Sequence, residues 1–442
     1  MIRTLLVASF AVACGAAPPP APAPSAPPPA TMPHLVVVSV DGLMADAYVH
    51  PDAHGLKIPA LRQLIARGAY ATGVEGVFPT VTYPSHTTMA TGVPPAVHGI
   101  VGNKPVDPLG KNAEGWWWYS EDIHAPTLWD AVEAQHRRAG LVSWPVTVGA
   151  RVSFNVPEYW RAGTADDQKL LRALATPGLL DRVAREDHEL WQQLRPPMAA
   201  DASIFAIATY LVTHEHPDLL MIHAPALDEA EHEHGPWSPE AIAAIENVDA
   251  LIGQLAATIS AQPEAARTTL VIVSDHGFAP IDHELEPYVV LARHHLITLD
   301  GTKTVAARVG VVTAGGTALF YLIDPSAAAE LDAAVAELPD VRRLSREQLA
   351  AFGADPAAAF ALVAPPGFAF GGERTGELVV AKPGHGTHGW PPTDPAMAAS
   401  FIAVGPGIAH RELGRIRMLD IAPSLAAWVG VALPAAIGSA IR

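Results

Sequence analysis

Seven side chains spread along the chain are of types that bind divalent metal ions: Asp41, Thr82, Asp228, His232, Asp275, His276 and His388. Asp228 and His232 are four residues apart in "DEAEH", so they share one face if this segment is helical. Asp275 and His276 are adjacent where an apolar run ends, and a bend there can turn both toward one ion. Aspartate oxygens and imidazole nitrogens suit a divalent transition ion, with zinc as the leading candidate. Seven ligands exceed what one zinc ion takes and are enough for two if the threonine oxygen is one of them.

Two of these histidines have rivals nearby in the sequence. His388 lies in "GTHGW", a glycine-flanked loop that lets the backbone approach closely, and His385 in the same region is the alternative ligand. His234 likewise competes with His232, but only His232 keeps the four-residue spacing to Asp228. We therefore expect His388 and His232 to be the ligands.

The segment "FPTVTYPSH" (78–86) places two hydroxyl groups, those of Thr80 and Thr82, in a bend punctuated by prolines. A hydroxyl bound to a metal ion loses its proton more readily and becomes a nucleophile without a nearby general base. By this local argument, either threonine is a candidate nucleophile.

The elements that must position these residues are predicted by four apolar runs, at 34–42, 217–228, 268–278 and 400–407. Such runs are typical of buried parallel strands, and "IPALRQLIARGA" between two of them has helical spacing. The pattern predicts an α/β fold with a mostly parallel central sheet flanked by helices. Ligands bind beyond the carboxyl ends of the strands in such sheets. Asp41, Asp228 and Asp275 all lie at these ends, so we expect the metal site there.

Two segments are less clearly part of the sheet, about 107–215 and about 285–380. The first contains "EGWWWYSED", and the second contains the predicted strands "LFYLIDP" and "GELVVAKPG". We interpret both as cap or insertion regions around the site.

The charge balance limits the partners. The chain has 28 Lys and Arg residues against 45 Asp and Glu residues, which gives a net charge of −17. An acidic surface argues against a nucleic-acid polymer as partner, because such a partner needs a basic footprint. A small anionic substrate stays compatible, since cations within a site can reverse the local field.

The N-terminus has the pattern of an export signal. "MIRTLLVASFAVAC" combines a basic residue, an apolar run and small residues before Cys14, the only cysteine of the chain. "AVAC" is similar to a bacterial lipobox, in which Cys14 would carry the lipid; plain secretion is the alternative. The Pro/Ala-rich segment 15–33 would be an extended tether. We expect an exported protein with a lipid anchor in a bacterial membrane, and no other membrane contact.

Five segments together resemble a known family. They are "VVVSVDGLMADAY", "FPTVTYPSHTTMATGVPPAVHGIVGN", "LDEAEHEHGP", "VSDHGF" and "GTHGW", in that order. They are similar to the type I phosphodiesterase/nucleotide pyrophosphatase family of the alkaline phosphatase superfamily. The resemblance implies an alkaline-phosphatase-like sandwich over the catalytic domain, residues 34–442, with two zinc ions.

The resemblance also implies roles for single residues. The nucleophile would be Thr82 and not Thr80, because the family's threonine precedes an aromatic residue and a proline. Asn103 would donate a hydrogen bond to a substrate oxygen, and Tyr83 would stack on a nucleotide base. One zinc would be bound by Asp228, His232 and His388, and the other by Asp41, Thr82, Asp275 and His276.

The hypothesis from the sequence is a zinc-dependent hydrolase that cleaves phosphodiester or pyrophosphate bonds of nucleotides through a phosphothreonine intermediate. A phosphomonoesterase, a phosphonate hydrolase and a lipid-headgroup phosphodiesterase are alternatives with the same metal core. A different class is a non-catalytic metal-binding surface lipoprotein, against which Thr82 and Asn103 argue.

Overall fold

The computed structural model describes residues 32–112, 115–159, 166–188, 190 and 201–441. The predicted signal with Cys14 and nearly all of the predicted tether at 15–33 lie outside these residues. The strands are β1 His34–Val40, β2 Ala69–Tyr70, β3 Gly73–Glu75, β4 Ala139–Val142, β5 Phe154–Val156, β6 Leu219–Ala224, β7 Thr268–Val273, β8 Ala279–Leu285, β9 Ile297–Asp300, β10 Lys303–Ala307, β11 Val309–Ala314, β12 Thr317–Leu322, β13 Arg342–Leu344, β14 Phe360–Val363, β15 Gly367–Phe370, β16 Val379–Thr387, β17 Phe401–Val404, β18 Arg411–Glu412 and β19 Arg415–Arg417. The α-helices are α1 Asp46–Val49, α2 Pro59–Ile65, α3 Thr82–Thr91, α4 Pro95–His98, α5 Leu128–Glu133, α6 Asp167–Leu174, α7 Leu179–Glu186, α8 Asp201–Tyr210, α9 Ala226–His234, α10 Pro239–Ser260, α11 Pro287–Arg293, α12 Ala328–Val335, α13 Arg346–Ala351 and α14 Ile421–Val429.

An eight-stranded sheet in the order β18-β2-β17-β7-β1-β6-β4-β5 forms the centre of the fold. Strand β1 pairs in parallel with both β6 and β7, and β4 pairs in parallel with β6 and β5. Strand β17 runs antiparallel to β7. All four strands predicted from the apolar runs are present in this sheet, and it is mostly parallel, as expected.

Both faces of the central sheet are covered, which explains why its strands are apolar throughout. Alternate residues of β1 point to opposite sides, Val36 and Val38 to one core cluster and Leu35 and Val37 to the other. Helices α2, α8 and α10 pack on the first face, and α3, α5 and α14 pack on the second. The sheet is therefore a rigid platform whose carboxyl edge can carry a site.

Helix α10 is long and apolar enough to cross a membrane by length and composition, but one face of it packs in the core. Ser238 caps its first turn by accepting a hydrogen bond from the Ala241 N–H. Asp249 in its middle accepts hydrogen bonds from the N–H groups of Ala60 and Leu61, at the start of α2. It is thus a core helix that also caps a neighbour.

The two predicted insertions differ in the structure. Strands β4 and β5, from the segment 107–215, belong to the central sheet. These two strands were not predicted, because four- and three-residue strands are too short to show a period in the sequence. Much of the segment 285–380 forms an antiparallel sheet in the order β11-β12-β14-β13, packed with α11 and α12 around its own core.

Candidate active site

The carboxyl ends of β1, β6 and β7 bring three aspartates together. Asp41 directly follows β1, Asp275 follows β7 by two residues, and Asp228 lies in the first turn of α9 after β6. Two groups of ligand atoms form here, each within 4.8 Å: Asp41, Asp275 and His276, and Asp228, His276 and His388. The parallel sheet thus gathers residues that are far apart in the chain, as the strand pattern predicted.

The first group is fully buried and short of hydrogen bonds. His276 Nε2 lies 3.3 Å from Asp41 Oδ1 and 3.1 Å from Asp275 Oδ2. None of these three atoms has a hydrogen-bond partner within the described residues. The other Asp275 oxygen accepts a hydrogen bond of 3.2 Å from the Gly42 N–H. Buried polar atoms are nearly always paired, so these three are positioned for an ion.

The second group contains two histidines, His276 and His388, and His232 lies beside its aspartate. His232 Nε2 and His388 Nε2 each lie 3.5 Å from an oxygen of Asp228. The rings of His276 and His388 stack with their centroids 3.7 Å apart. Asp228 Oδ1 has no hydrogen-bond partner in the described part of the chain. His276, assigned to one zinc by resemblance, stands between the two groups.

Backbone carbonyls orient all three imidazole rings in the same way. His232 Nδ1 lies 3.0 Å from the Gly386 oxygen, His388 Nδ1 lies 3.0 Å from the Thr80 oxygen, and His276 Nδ1 lies 3.2 Å from the Gly277 oxygen. An Nδ1–H that donates to a carbonyl leaves Nε2 as a lone-pair ligand. Each Nε2 faces the carboxylates, so the three rings are oriented as metal ligands.

The crowded carboxylates of the site favour the binding of a cation. Burial and the charge of Asp228 raise the pKa of Asp41 to about 7. Burial and the charge of Asp41 raise the pKa of Asp275 well above its ordinary value. Burial and the neighbouring His232 lower the pKa of His388 to about 3. Carboxylates crowded together with neutral imidazoles fit a divalent transition ion, which neutralises the former and ligates the latter.

The two threonines of the bend have different surroundings. The hydroxyl of Thr80 is buried, donates to the Trp390 carbonyl at 2.7 Å and accepts from the Gly389 N–H at 3.2 Å. Thr82 is the first residue of α3 and is 7% exposed, and its hydroxyl makes no hydrogen bond within the described residues. A helix N-terminus favours negative charge. The geometry therefore favours Thr82 over Thr80 as the nucleophile.

Asn103 lies beside this threonine. Its Oδ1 accepts a hydrogen bond of 2.9 Å from the N–H of Tyr83, the residue after Thr82. With the oxygen so engaged, the amide NH₂ remains available as a donor. Asn103 also lines a cavity of about 510 Å³ together with His232, His388, Trp116, Lys104 and Arg374. The cavity joins the metal-ligand cluster to solvent and has room for a small substrate.

Tyr83 is placed differently from its predicted role. Its side chain is 0% exposed, packs near Trp116 and Trp118, and donates a hydrogen bond of 2.9 Å to Glu158 Oε1. The ring offers no face to the cavity, which is at odds with stacking on a base. Tyr83 instead ties the start of α3 to the core beneath it.

The two histidines considered as alternative ligands, His385 and His234, lie outside the ligand groups. His385 is half-buried and its Nδ1 lies 3.0 Å from the carbonyl of Pro383, while His234 is exposed beside Glu233. Neither joins the ligand groups. His86 is buried beneath Thr82, with Nδ1 2.8 Å from the Thr82 carbonyl oxygen.

Three buried residues of the site were not singled out from the sequence: His223, Glu158 and Glu231. His223 Nε2 lies 2.9 Å from Asp41 Oδ2, and its Nδ1 lies 2.7 Å from Glu158 Oε2. Glu231 is fully buried on α9 next to His232. A histidine inside the apolar strand "LLMIHA" is a signal that sequence reasoning could have used. Glu158 has no such signal, because its partners come from distant segments.

A family model described as type I phosphodiesterase / nucleotide pyrophosphatase matches residues 35–391. The chain belongs to this family. The family prediction made from the five segments is thereby confirmed.

Curated relatives with similar sequences are known from a yeast and a mammal. The chain is 28% identical over 258 residues to an uncharacterized pyrophosphatase/phosphodiesterase of Schizosaccharomyces pombe, covering 56% of the chain and 45% of that protein. It is 25% identical over 258 residues to ectonucleotide pyrophosphatase/phosphodiesterase family member 1 of Mus musculus, covering 55% of the chain and 24% of that protein. The match thus spans less than half the length of these relatives.

The fold has solved counterparts. Murine ectonucleotide pyrophosphatase/phosphodiesterase 5 superposes with a TM-score of 0.65 at 20% identity, over 92% of this chain and 97% of that one. An inactive threonine-to-alanine variant of the same murine protein, in complex with AMP, gives the same values. The likeness confirms the predicted alkaline-phosphatase-like α/β fold.

Proposed function

We propose that the protein is a zinc-dependent hydrolase that cleaves phosphodiester or pyrophosphate bonds of nucleotides through a phosphothreonine intermediate. The observation that carries the proposal is the position of the Thr82 hydroxyl at the start of α3, where it has no hydrogen-bond partner among the described residues. In the same part of the chain, the two ligand groups contain buried carboxylate oxygens and an imidazole nitrogen that also lack partners. A binding-only metal site needs neither this hydroxyl nor the amide of Asn103.

The ligands divide into two sets. We assign Asp41, Asp275, His276 and the Thr82 oxygen to one zinc ion, and Asp228, His232 and His388 to the other. When bound, two divalent ions would neutralise negative charge on the substrate phosphate and make the threonine hydroxyl easier to deprotonate. The three oriented Nε2 atoms and the unpaired carboxylate oxygens support this assignment.

The residues of the chain then perform a two-step displacement. Thr82 Oγ loses its proton and attacks phosphorus, the P–O bond to the leaving group breaks, and a phosphothreonine diester forms. The positive end of α3 and the Asn103 NH₂ stabilise charge that develops on the phosphoryl oxygens. A water molecule then attacks phosphorus, the bond to Thr82 Oγ breaks, and the hydroxyl regains a proton.

The cavity supports a nucleotide-sized substrate. Its lining combines Trp116 with two cations, Lys104 and Arg374, and the Lys104 ammonium lies 5.3 Å from the centre of the Trp116 ring. An aromatic ring and cations suit a base and its phosphates. The murine neighbour solved in complex with AMP agrees with this class of ligand.

We also propose export and lipid attachment at Cys14. The support is the N-terminal sequence pattern, an apolar run that ends in "AVAC" and is followed by a Pro/Ala-rich tether. Labelling of the expressed protein with a radioactive fatty acid, with Cys14→Ser as control, tests the attachment. Label retained by the serine variant would refute it.

The activity is tested with the purified chain on p-nitrophenyl TMP, bis(p-nitrophenyl) phosphate and p-nitrophenyl phosphate, together with metal analysis. We expect about two zinc ions per chain and a preference for the diesters. Thr82→Ala should be inactive and folded, while Thr82→Ser keeps part of the activity. Preference for the monoester would assign the site to a phosphatase, and full activity of Thr82→Ala would exclude Thr82 as the nucleophile.

A further inference from the structure

Glu231 is a buried carboxylate for which the mechanism above has no role. It is 0% exposed, and neither carboxylate oxygen has a hydrogen-bond partner within the described part of the chain. It lies on α9, less than one turn after Asp228 and directly before His232. The other two glutamates of this helix, Glu229 and Glu233, are exposed to solvent. Burying an unpaired carboxylate is costly, so this one requires an explanation.

One carboxylate oxygen of Glu231 lies beside Gly42, the residue that follows the ligand Asp41. This oxygen, Oε2, lies 2.8 Å from the point where a side chain on Gly42 would begin. Gly42 follows Asp41, and its N–H donates to Asp275. Only a glycine leaves room at this position for the glutamate to approach the backbone. The carboxylate thus lies against the residues that join β1 to the first ligand group.

The charged groups around Glu231 have the same sign. The charges that act on Glu231 are those of three other carboxylates, Asp228, Asp41 and Asp275. Among the described residues, Glu231 forms no ion pair with lysine, arginine or histidine. The part of the chain that the structure describes therefore supplies four neighbouring carboxylates and no counterion for the fourth.

We propose that Glu231 is a further anionic member of the metal centre, whose negative charge increases the affinity of the centre for divalent cations. The three ligand aspartates and Glu231 carry four negative charges, which two divalent ions balance. The inference rests on the proposed function, since it assumes that the ligand groups bind two ions. It assigns to Glu231 a role in holding cations at close range, through Coulomb attraction in a site that excludes water.

The test compares Glu231→Gln with Glu233→Gln, an exposed glutamate on the same helix. Both proteins and the parent are stripped with a chelator and titrated with zinc against a chromophoric competitor. We expect zinc affinity to fall at least about tenfold in Glu231→Gln, as for other residues that support metal ligands, and to be unchanged in Glu233→Gln. Should Glu231→Gln not fold, Glu231→Leu replaces it in the same titration.

Thermal melting gives a second readout that a purely structural residue would not produce. The rise in melting temperature on adding zinc should be smaller in the variant than in the parent.

The outcomes separate this inference from the proposed function. If the parent binds two zinc ions and Glu231→Gln binds them equally well, with an equal rise in melting temperature, the inference is wrong and the proposed function stands. If the parent binds no zinc, both are overturned.

Discussion

His223 Nε2 lies 2.9 Å from Asp41 Oδ2, so a buried imidazole holds the carboxylate of a candidate metal ligand in place. Its other nitrogen contacts Glu158, which in turn accepts a hydrogen bond from Tyr83. Tyr83 donates its N–H to Asn103. One chain of hydrogen bonds therefore connects a metal ligand with the proposed donor to the substrate.

Replacing His223 by glutamine should weaken the metal centre. Loss of the imidazole leaves Asp41 less firmly oriented and Glu158 without its partner, and such changes typically cost 10- to 100-fold in metal affinity. Zinc titration of the stripped protein measures the effect. His214→Gln is the control, because His214 is a solvent-accessible histidine that pairs with Glu186. Equal zinc affinity in both variants would show that His223 does not support Asp41.

Replacing Asn103 by alanine should slow turnover more than it weakens substrate binding. A hydrogen bond that stabilises the transition state is typically worth about 10²- to 10³-fold in kcat. Steady-state kinetics on a diester give kcat and KM, and zinc analysis checks that the metal centre is intact. Asn112→Ala is the control, since Asn112 is an exposed asparagine near the same cavity. A normal kcat for Asn103→Ala would remove this residue from the mechanism.

Removing the hydroxyl of Tyr83 should lower stability. Tyr83→Phe leaves an oxygen of buried Glu158 without its donor, which costs about 1–3 kcal/mol of unfolding free energy. Denaturant unfolding of the variant and the parent measures the difference. An unchanged free energy of unfolding would show that this hydrogen bond adds nothing.

A related variant tests base stacking by Tyr83. If the ring stacks on a base, Tyr83→Leu should raise KM for p-nitrophenyl TMP roughly tenfold while leaving KM for bis(p-nitrophenyl) phosphate unchanged. We expect the two KM values to change together, because the ring is buried. A selective rise for the nucleotide ester would restore the predicted stacking role.

The stability of the metal-free protein should fall as pH rises from 7 to 9. The pKa of Asp41 is raised to about 7, and those of Asp275 and Glu231 are raised well above their ordinary values by burial first and neighbouring carboxylates second. The unfolded chain loses these protons near pH 4, so stability declines until the pH passes the folded-state pKa. His276 and His388, whose pKa values are lowered, are neutral in both states above pH 7 and contribute nothing there.

Melting curves of chelated and zinc-loaded protein across this pH range test whether stability falls as the pH rises. His223 acts in the same direction as the carboxyl groups, because its raised pKa comes with a proton that the folded state retains. The zinc-loaded protein should show a smaller decline, since bound ions neutralise the carboxylates. A chelated protein that gains stability between pH 7 and 9 would contradict the proposed charge crowding.

The periodicity of apolar residues in the sequence predicted the central strands and the residues at their ends. The apolar runs gave β1, β6, β7 and β17, and the acidic residues at their ends led to the ligand cluster. It did not reveal β4 and β5, which are too short for a period. Glu158 and Glu231 were missed for another reason, since a glutamate looks alike in a sequence whether it is solvated or enclosed.

The choice between Thr80 and Thr82 shows the same limit at one position. Both candidates are threonines in the same prolyl bend, so the local sequence does not distinguish them, and only the resemblance to the family favoured Thr82. The structure distinguishes them physically, because Trp390 and Gly389 take up the hydrogen bonds of Thr80. Those partners lie 310 and 309 residues away, beyond the reach of any local pattern.

The hydrogen bonds that join the Thr80 loop to His388 and Trp390 connect residues 308 and 310 positions apart in the chain. A ribosome releases these segments in order, so the Thr80 loop is synthesised early and its partners late. A nascent chain that has not yet emerged past Trp390 therefore lacks the hydrogen bonds that hold the Thr80 loop, next to the proposed nucleophile Thr82. We therefore expect the proposed hydrolytic activity to arise only after Trp390 has been synthesised, and a chain terminated before it to be inactive.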